Sequence, residues 1–261
     1  MNRADRLTAV LDLLAESGQL EVDDIIEKLG VSAATARRDL DALASRQLLT
    51  RTRGGAIGQA VAYDLPVRYK SEARATEKRR IAAAASALVN RGDVVGLCGG
   101  TTSTAIASAL GARADIMQAA PHPNLTVVTN AINIAAQLAM RPQIKTVVTG
   151  GVVHSRSYEL VGPYANEVLL QVTLDLAFIG LNGIDPVMGA TVHDEREAAV
   201  NSLMARRATR AVLVADSSKI GQTAFASIGD LAQFDALITD DGITDKQVAA
   251  FAAAGLEVIV A

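Results

Sequence analysis

The chain has 261 residues, half of them apolar, and a formal net charge of −3, which suffices for one large or two unequal domains around a sizeable core. With no Trp, four Phe and four Tyr, it lacks the aromatic platforms on which single-stranded bases stack. Its one cysteine, Cys98, excludes an internal disulfide and a cysteine zinc cluster and fits a reducing compartment.

The opening Met-Asn-Arg-Ala-Asp-Arg is polar and leads into no long apolar run, so neither a signal peptide nor a membrane span is expected, and the protein reads as soluble and cytoplasmic. Charge is distributed unevenly. Residues 1–30 carry three basic and seven acidic groups, residues 37–53 five Arg against two Asp, and residues 68–80 six basic and two acidic groups. Nucleic-acid binding needs a basic face rather than a basic whole.

Arg3 to Ser17 puts Leu7, Val10, Leu11 and Leu14 on one face of a first helix, closed by Gly18. Val22 to Leu29 is a second helix, with Asp23 and Asp24 in the turn where the dipole favours anions. Gly30 supplies a left-handed turn. Then comes Val31-Ser-Ala-Ala-Thr-Ala-Arg-Arg-Asp-Leu-Asp-Ala-Leu43. Ser32 is a good N-cap, and Ala36, Leu40 and Leu43 fall on one face. Ala34, Arg38, Asp41 and Ser45 turn away from it, with Thr35 and Arg37 on the flanks. A small residue, hydroxyls and two guanidinium groups near a helix N-terminus suit base edges and phosphates, and the Arg fork pairs bidentately with guanine. The same stretch also satisfies an amphipathic helix with a solvated Arg pair. Three helices with such short joints make a helix-turn-helix bundle. In Gln47 to Ala56, a short apolar strand, Arg51 and Arg53 at alternate positions and a Gly-Gly turn read as a β-wing with both cations toward phosphate. Residues 58–75 read as a linker whose Arg68 and Lys70 face DNA or only solvent.

From Thr76 onward, helices alternate with apolar strands, which predicts a mostly parallel, doubly wound sheet. Strands are expected at Val94–Cys98, Leu125–Thr129, Lys145–Thr149, Leu174–Gly180, Ala211–Ala215, Ala236–Thr239 and Leu256–Val260, and a helix over Val161–Leu170. Ligands of such sheets bind beyond the carboxyl ends of the strands. After the first strand, Gly99, Gly100, Thr101 and Thr102 run with Ser103 and Thr104 into a helix, a loop able to cradle an anion or to serve as an ordinary tight turn. It lacks the Gly-Lys-Ser/Thr element of a Walker loop and the Gly-x-Gly-x-x-Gly pattern. Thr129 and Asn130 end the second strand, Gly150 and Gly151 the third, with Arg156 soon after. Asn182 follows the fourth, and Asp216 and Lys219 follow the fifth, while Asp194 and Glu197 open the helix before it. Donors and a Lys for phosphate, with carboxylates and Asn for hydroxyls, suit a phosphorylated polyol. Asp194, Glu197 and Asp216 also suit helix caps, and Arg156 also suits solvent. His122, His154 and His193 read as loop histidines, although His154 and His193 also suit ligand contact, and without a His-x-x-x-His pair neither a metal nor a cofactor is expected.

The pattern Val-Ser-x-x-Thr-x-Arg-Arg-Asp-Leu, followed by Arg-x-x-Gly-Gly-Ala, resembles the N-terminal domain of the DeoR family of bacterial transcriptional regulators over about residues 3–57. Gly-Gly-Thr-Thr, Val-Val-Thr-Asn, Thr-Gly-Gly, Leu-Val-Gly-Pro at 160–163, Asp-Leu-Ala-Phe-Ile-Gly at 175–180 and Ala-Asp-Ser-Ser-Lys resemble its sensor domain. The chain departs from the family pattern with Ala36 for Ile, Gln47 for Gly, Arg53 for His and Cys98 for Asp. The resemblance implies an α/β protein with an N-terminal winged helix-turn-helix at 1–57. A doubly wound sensor at 76–261 would follow, similar to ribose-5-phosphate isomerase and CoA-transferase folds. It implies a homodimer or homotetramer on double-stranded operator DNA, away from membranes. Such a protein would repress carbohydrate-metabolism genes until a phosphorylated sugar binds. The alternative is a sugar-phosphate isomerase or CoA-transferase-like enzyme, with Lys219 and Asp194, Asp216 or Glu197 as acid and base. An enzyme has no use for the head at 1–57.

Overall fold

The computed structural model describes residues 6–7, 9–11, 13–14, 19–45, 49–57 and 74–261. The chain divides into two compact units, residues 1–73 and 74–261. Gln47 and nearly all of the expected linker, with Arg68 and Lys70, lie outside the described residues.

In the first unit the described residues between 6 and 14 are helical. Leu7, Val10, Leu11 and Leu14 are buried there, as the period of the sequence predicts. A strand the sequence reading does not anticipate, β1 (Gln19–Glu21), runs directly into α1 (Val22–Leu29). Glu21 caps α1 through a reciprocal box with Asp24, and Gly30 closes it at φ 65° with its N–H on the Ile26 carbonyl. Helix α2 (Ala33–Ala44) starts from Ser32, whose hydroxyl accepts from the Thr35 amide at 3.2 Å. Its inner face of Ala36, Leu40 and Leu43 is fully buried against Leu11, Leu14 and Ile25. Two further short strands, β2 (Thr50–Arg51) and β3 (Gly55–Ile57), join β1 in an antiparallel sheet of order β1-β3-β2. This is a helix-turn-helix with a wing.

The second unit is built on a seven-stranded sheet whose neighbours are all parallel. In chain order its strands are β4 (Val94–Leu97), β5 (Leu125–Thr129), β6 (Ile144–Val148), β9 (Leu174–Gly180), β12 (Ala208–Val214), β14 (Ala236–Thr239) and β15 (Glu257–Val260). They lie side by side as β15-β14-β12-β9-β4-β5-β6. The order reverses at β4, as in a doubly wound fold. Alternate residues serve opposite faces. Leu176, Phe178, Val212 and Val214 pack under α3 (Ala75–Ala87), α4 (Thr101–Leu110) and α5 (Ile132–Leu138). Ala177, Ile179, Ala211 and Leu213 pack under α6 (Pro163–Leu170), α7 (Glu195–Arg206) and α8 (Asp245–Ala253). Burying a side chain such as Phe178 contributes roughly 1.5–3 kcal/mol.

Five more strands stand outside this sheet. A hairpin pairs β7 (Val152–His154) with β8 (Glu159–Val161), and β11 (Gly189–Val192) pairs antiparallel with β10 (Gly183–Asp185) on one side and β13 (Ala226–Gly229) on the other. The expected helix over Val161–Leu170 therefore begins only at Pro163. Gly162, at φ 90°, breaks the chain between β8 and α6, and Pro163 occupies the first helical position.

Candidate nucleic-acid interface and anion crevice

On α2 the period that buries Leu40 turns Arg37 and Arg38 outward, and both are exposed with no ion-pair partner among the described residues. Ala34 is exposed one turn earlier, and Thr35 shares a 2.9 Å hydrogen bond with the Ser32 hydroxyl, so cap and flank are locked together. The next residue has the opposite fate. Asp39 is 1% exposed and takes the Arg6 guanidinium through both carboxylate oxygens, tying α2 to the first helix. The two wing cations also differ. Arg51, in β2, binds the Asp41 carboxylate at 2.9 Å and the Gly55 carbonyl, which fastens the wing to α2. Arg53 lies in the turn rather than on the strand and is exposed.

Most of the expected ligand residues of the second unit follow the carboxyl ends of five adjacent strands, β12, β9, β4, β5 and β6, whereas Asp194 and Glu197 open α7 after β11. After β4, Gly99 is buried because the Glu159 side chain lies against it: a Cβ there would meet the Glu159 Cγ at 2.2 Å. Gly100 caps α4 at φ 103°, a conformation L side chains rarely adopt, and offers no side-chain cap. The amides of Thr101, Thr102 and Ser103 have no hydrogen-bond acceptor among the described residues, so the first turn of α4 presents donors and the positive end of the dipole. The Thr101 and Thr102 hydroxyls are likewise unengaged among those residues, whereas Thr104 returns its hydroxyl to the Gly100 carbonyl at 2.8 Å.

After β5, the fully buried Thr129 accepts from the Ala131 amide at 3.0 Å. Asn130 donates to Glu159 at 2.9 Å, and its own Oδ1, buried, has no partner among the described residues. After β6, Gly150 and Gly151 lead into the β7–β8 hairpin, with Gly151 passing so close to Val161 that a Cβ would lie 2.9 Å from the Val161 carbonyl oxygen. Arg156 is half-buried in the hairpin turn. After β9, Asn182 accepts from the His193 amide at 3.3 Å.

Two residues outside the expected ligand set connect these pieces. His154 Nδ1 lies 2.6 Å from Glu197 and 3.2 Å from the Ser157 hydroxyl, and its Nε2 lies 4.0 Å from Asp194. Glu159, 4% exposed, links Gly99 to Asn130. A signal for Glu159 exists: it is the lone acid entering the apolar run Leu-Val-Gly-Pro. His154 carries none, because its carboxylate partners, Asp194 and Glu197, are some 40 residues away.

The charges here are set by these contacts. Hydrogen bonds from Arg196 hold the Asp194 carboxyl down at about 2, with the Arg196 and Glu197 amides adding to the effect against the opposing cost of burial. Asp194 thereby caps α7. Burial, reinforced by the Glu159 charge, pushes the Cys98 thiol up to about 12, so at neutral pH it is a neutral acceptor for the Gly180 amide at 2.9 Å. Asp216 is engaged elsewhere: it caps the short turn Ser217–Lys219 through the Ser218 amide and hydroxyl and stands 3.6 Å from Arg74. Lys219 ends that turn, half-buried.

A model of the DeoR C terminal sensor domain matches residues 73–241, and one of the DeoR-like helix-turn-helix domain matches residues 6–59. The chain belongs to the DeoR family. It is a helix-turn-helix transcriptional regulator with a C-terminal sensor. Among DeoR-type relatives, the HTH-type transcriptional repressor GlcR of Bacillus subtilis (strain 168) is 34% identical, covering 92% of this chain and 89% of its own. The glycerol-3-phosphate regulon repressor of Escherichia coli (strain K12) is 28% identical over 92% of each chain. A ribose 5 phosphate isomerase A from Neisseria gonorrhoeae aligns at 18% identity and TM-score 0.39, over 55% of this chain and 52% of its own, too loosely to carry an argument. Among the described residues, no helix is long and apolar enough to cross a membrane.

Proposed function

We propose that this DeoR-family chain is a cytoplasmic repressor of carbohydrate-metabolism genes, relieved by a phosphorylated sugar. Residues 1–57 form the DNA head, 58–75 the linker and 76–261 the sensor. Ser32, Ala34, Thr35, Arg37 and Arg38 enter the major groove, Arg53 meets phosphate, and Arg51 holds the wing in place. A homodimer or homotetramer puts such helices in successive grooves about 34 Å apart. The effector phosphate sits on the α4 amides with Gly99, Gly100, Thr101 and Thr102. Thr129, Asn130, Gly150, Gly151, Arg156, Asn182, Asp194, Glu197 and Lys219 surround the sugar, and Asp216 positions the Lys219 turn. The relatives' names support the regulon class.

The observation that carries this reading is the uncapped first turn of α4, whose donors open beside a buried Asn130 oxygen still lacking a hydrogen. A phosphate answers the first need and a sugar hydroxyl the second. Useful switching needs a coupling of about 1–3 kcal/mol between effector and DNA.

The test is a panel of sugar phosphates, read by melting temperature and by release of labelled operator. One member should raise the melting temperature and weaken operator binding, while its unphosphorylated sugar does neither. If no phosphorylated polyol does both, the reading fails. Turnover of an aldose or ketose phosphate by the same sample would favour the isomerase alternative instead.

A further inference from the structure

Away from the crevice, the outer side of α7 forms one wall of a groove of about 510 Å³. Its lining includes Asn166 of α6, the outward stripe of α7 and Phe225, a residue 83% exposed. The Asn166 Oδ1 is buried and has no hydrogen-bond partner among the described residues. The α7 stripe is Glu195, Ala199, Ser202 and Arg206, at spacings of four, three and four, which places them on one helical face. An acid stands at one end, a base at the other, and small side chains lie between. Arg206 already donates to Ser202 at 2.6 Å.

The stripe is self-complementary. Turned end for end about a point midway between Ala199 and Ser202, it lays Glu195 over Arg206 and Ala199 over Ser202. Two copies of α7 packed antiparallel about a two-fold axis therefore meet with opposite charges at both ends and small residues at the crossing, where helices must approach closely. A two-fold contact requires this property, since each residue must suit the partner's counterpart in both directions.

We propose that this groove is an interface with a second copy of the chain. The α7 helices cross antiparallel, Glu195 pairs with the partner's Arg206, and each Phe225 lies in the other subunit's groove. The apolar ring then leaves water, and Asn166 gains a donor. The inference does not depend on the effector reading, because it uses the opposite side of α7 from Glu197.

Sedimentation equilibrium of the full-length chain tests it, with circular dichroism to confirm that each variant folds. The native chain should associate. Glu195→Arg and Arg206→Glu should each weaken association about tenfold, because the two-fold axis repeats every lost pair. The double variant, Glu195→Arg with Arg206→Glu, should return to within about threefold of native, a rescue that no independent surface effect produces. A chain monomeric at about 100 µM, single variants with native association, or a double variant no better than the singles would each overturn the proposal.

Discussion

The outer face of α2 and the crevice beyond the parallel strands handle charge in opposite ways. On α2 the two arginines stand in water with no partner among the described residues, on a helix whose position is fixed from the other side by Leu40 and Asp39. In the crevice almost every charge is already held: Asp194 by Arg196, Glu197 by His154, and Glu159 by Asn130. A surface meant for a polyanion keeps its cations ready and depends on scaffold rigidity. A pocket for a small polar molecule orients its groups in advance, so recognition is shared across a network and no single side chain dominates.

The largest effect should come from attacking the scaffold under the outer face of α2. Leu40→Ala removes a fully buried side chain, at a cost of about 2–5 kcal/mol, against a total of roughly 3–5 kcal/mol for a unit of this size. Calorimetry should show the first unit melting early and the sensor unchanged. A single shared transition moving as one would contradict the independence of the two units. Next, Arg38→Ala should weaken specific operator binding by about 1–3 kcal/mol for each half-site, with an unchanged melting temperature. Equal binding in an anisotropy titration would mean that Arg38 reads nothing.

For the crevice, Gly99→Ala drives a methyl into Glu159. It should abolish the response to sugar phosphate while operator affinity without effector stays within about threefold, since the residues of the DNA head belong to the other compact unit. Loss of both would show that the distinction between head and sensor is drawn in the wrong place. The smallest effect is a pH dependence. The folded Cys98 thiol keeps its proton until about 12, against 9.0 for an ordinary thiol, so above pH 9 the unfolded chain binds fewer protons and stability falls. The loss is at most about 1.4 kcal/mol per pH unit. Urea midpoints at pH 8 and 10 should drop further for the native chain than for Cys98→Ala; equal drops would mean the folded thiol ionises.

How much of this was legible differed between the same two regions. The boundaries of α1, the cap at Ser32 and the outward arginines follow from a 3.6-residue period over a dozen residues, and strands β5, β9 and β14 match their apolar runs residue for residue. The short strands were not legible. Three residues such as Gln19–Glu21 or Val152–His154 show too little alternation to count, and the partner of the first, Ile57, is remote. The crevice was half legible for the same reason. Glycines and hydroxyls at strand ends announce themselves locally, whereas His154 meets Glu197 only through tertiary structure. Arg51 looked equivalent to Arg53 by alternation. Only the fold separates them, by bringing Asp41 within 2.9 Å of the first.

The ion pair between Arg6 and Asp39 bears on how such a protein diversifies. Asp39 adjoins the two exposed arginines in sequence but is buried on the other side of the helix, so the anchor and the proposed reading face are separate sets of residues. On the proposed function, positions 34 and 38 can change toward a new target without disturbing the Arg6–Asp39 anchor. A duplicated copy of the gene could change its allegiance by a few substitutions and still fold.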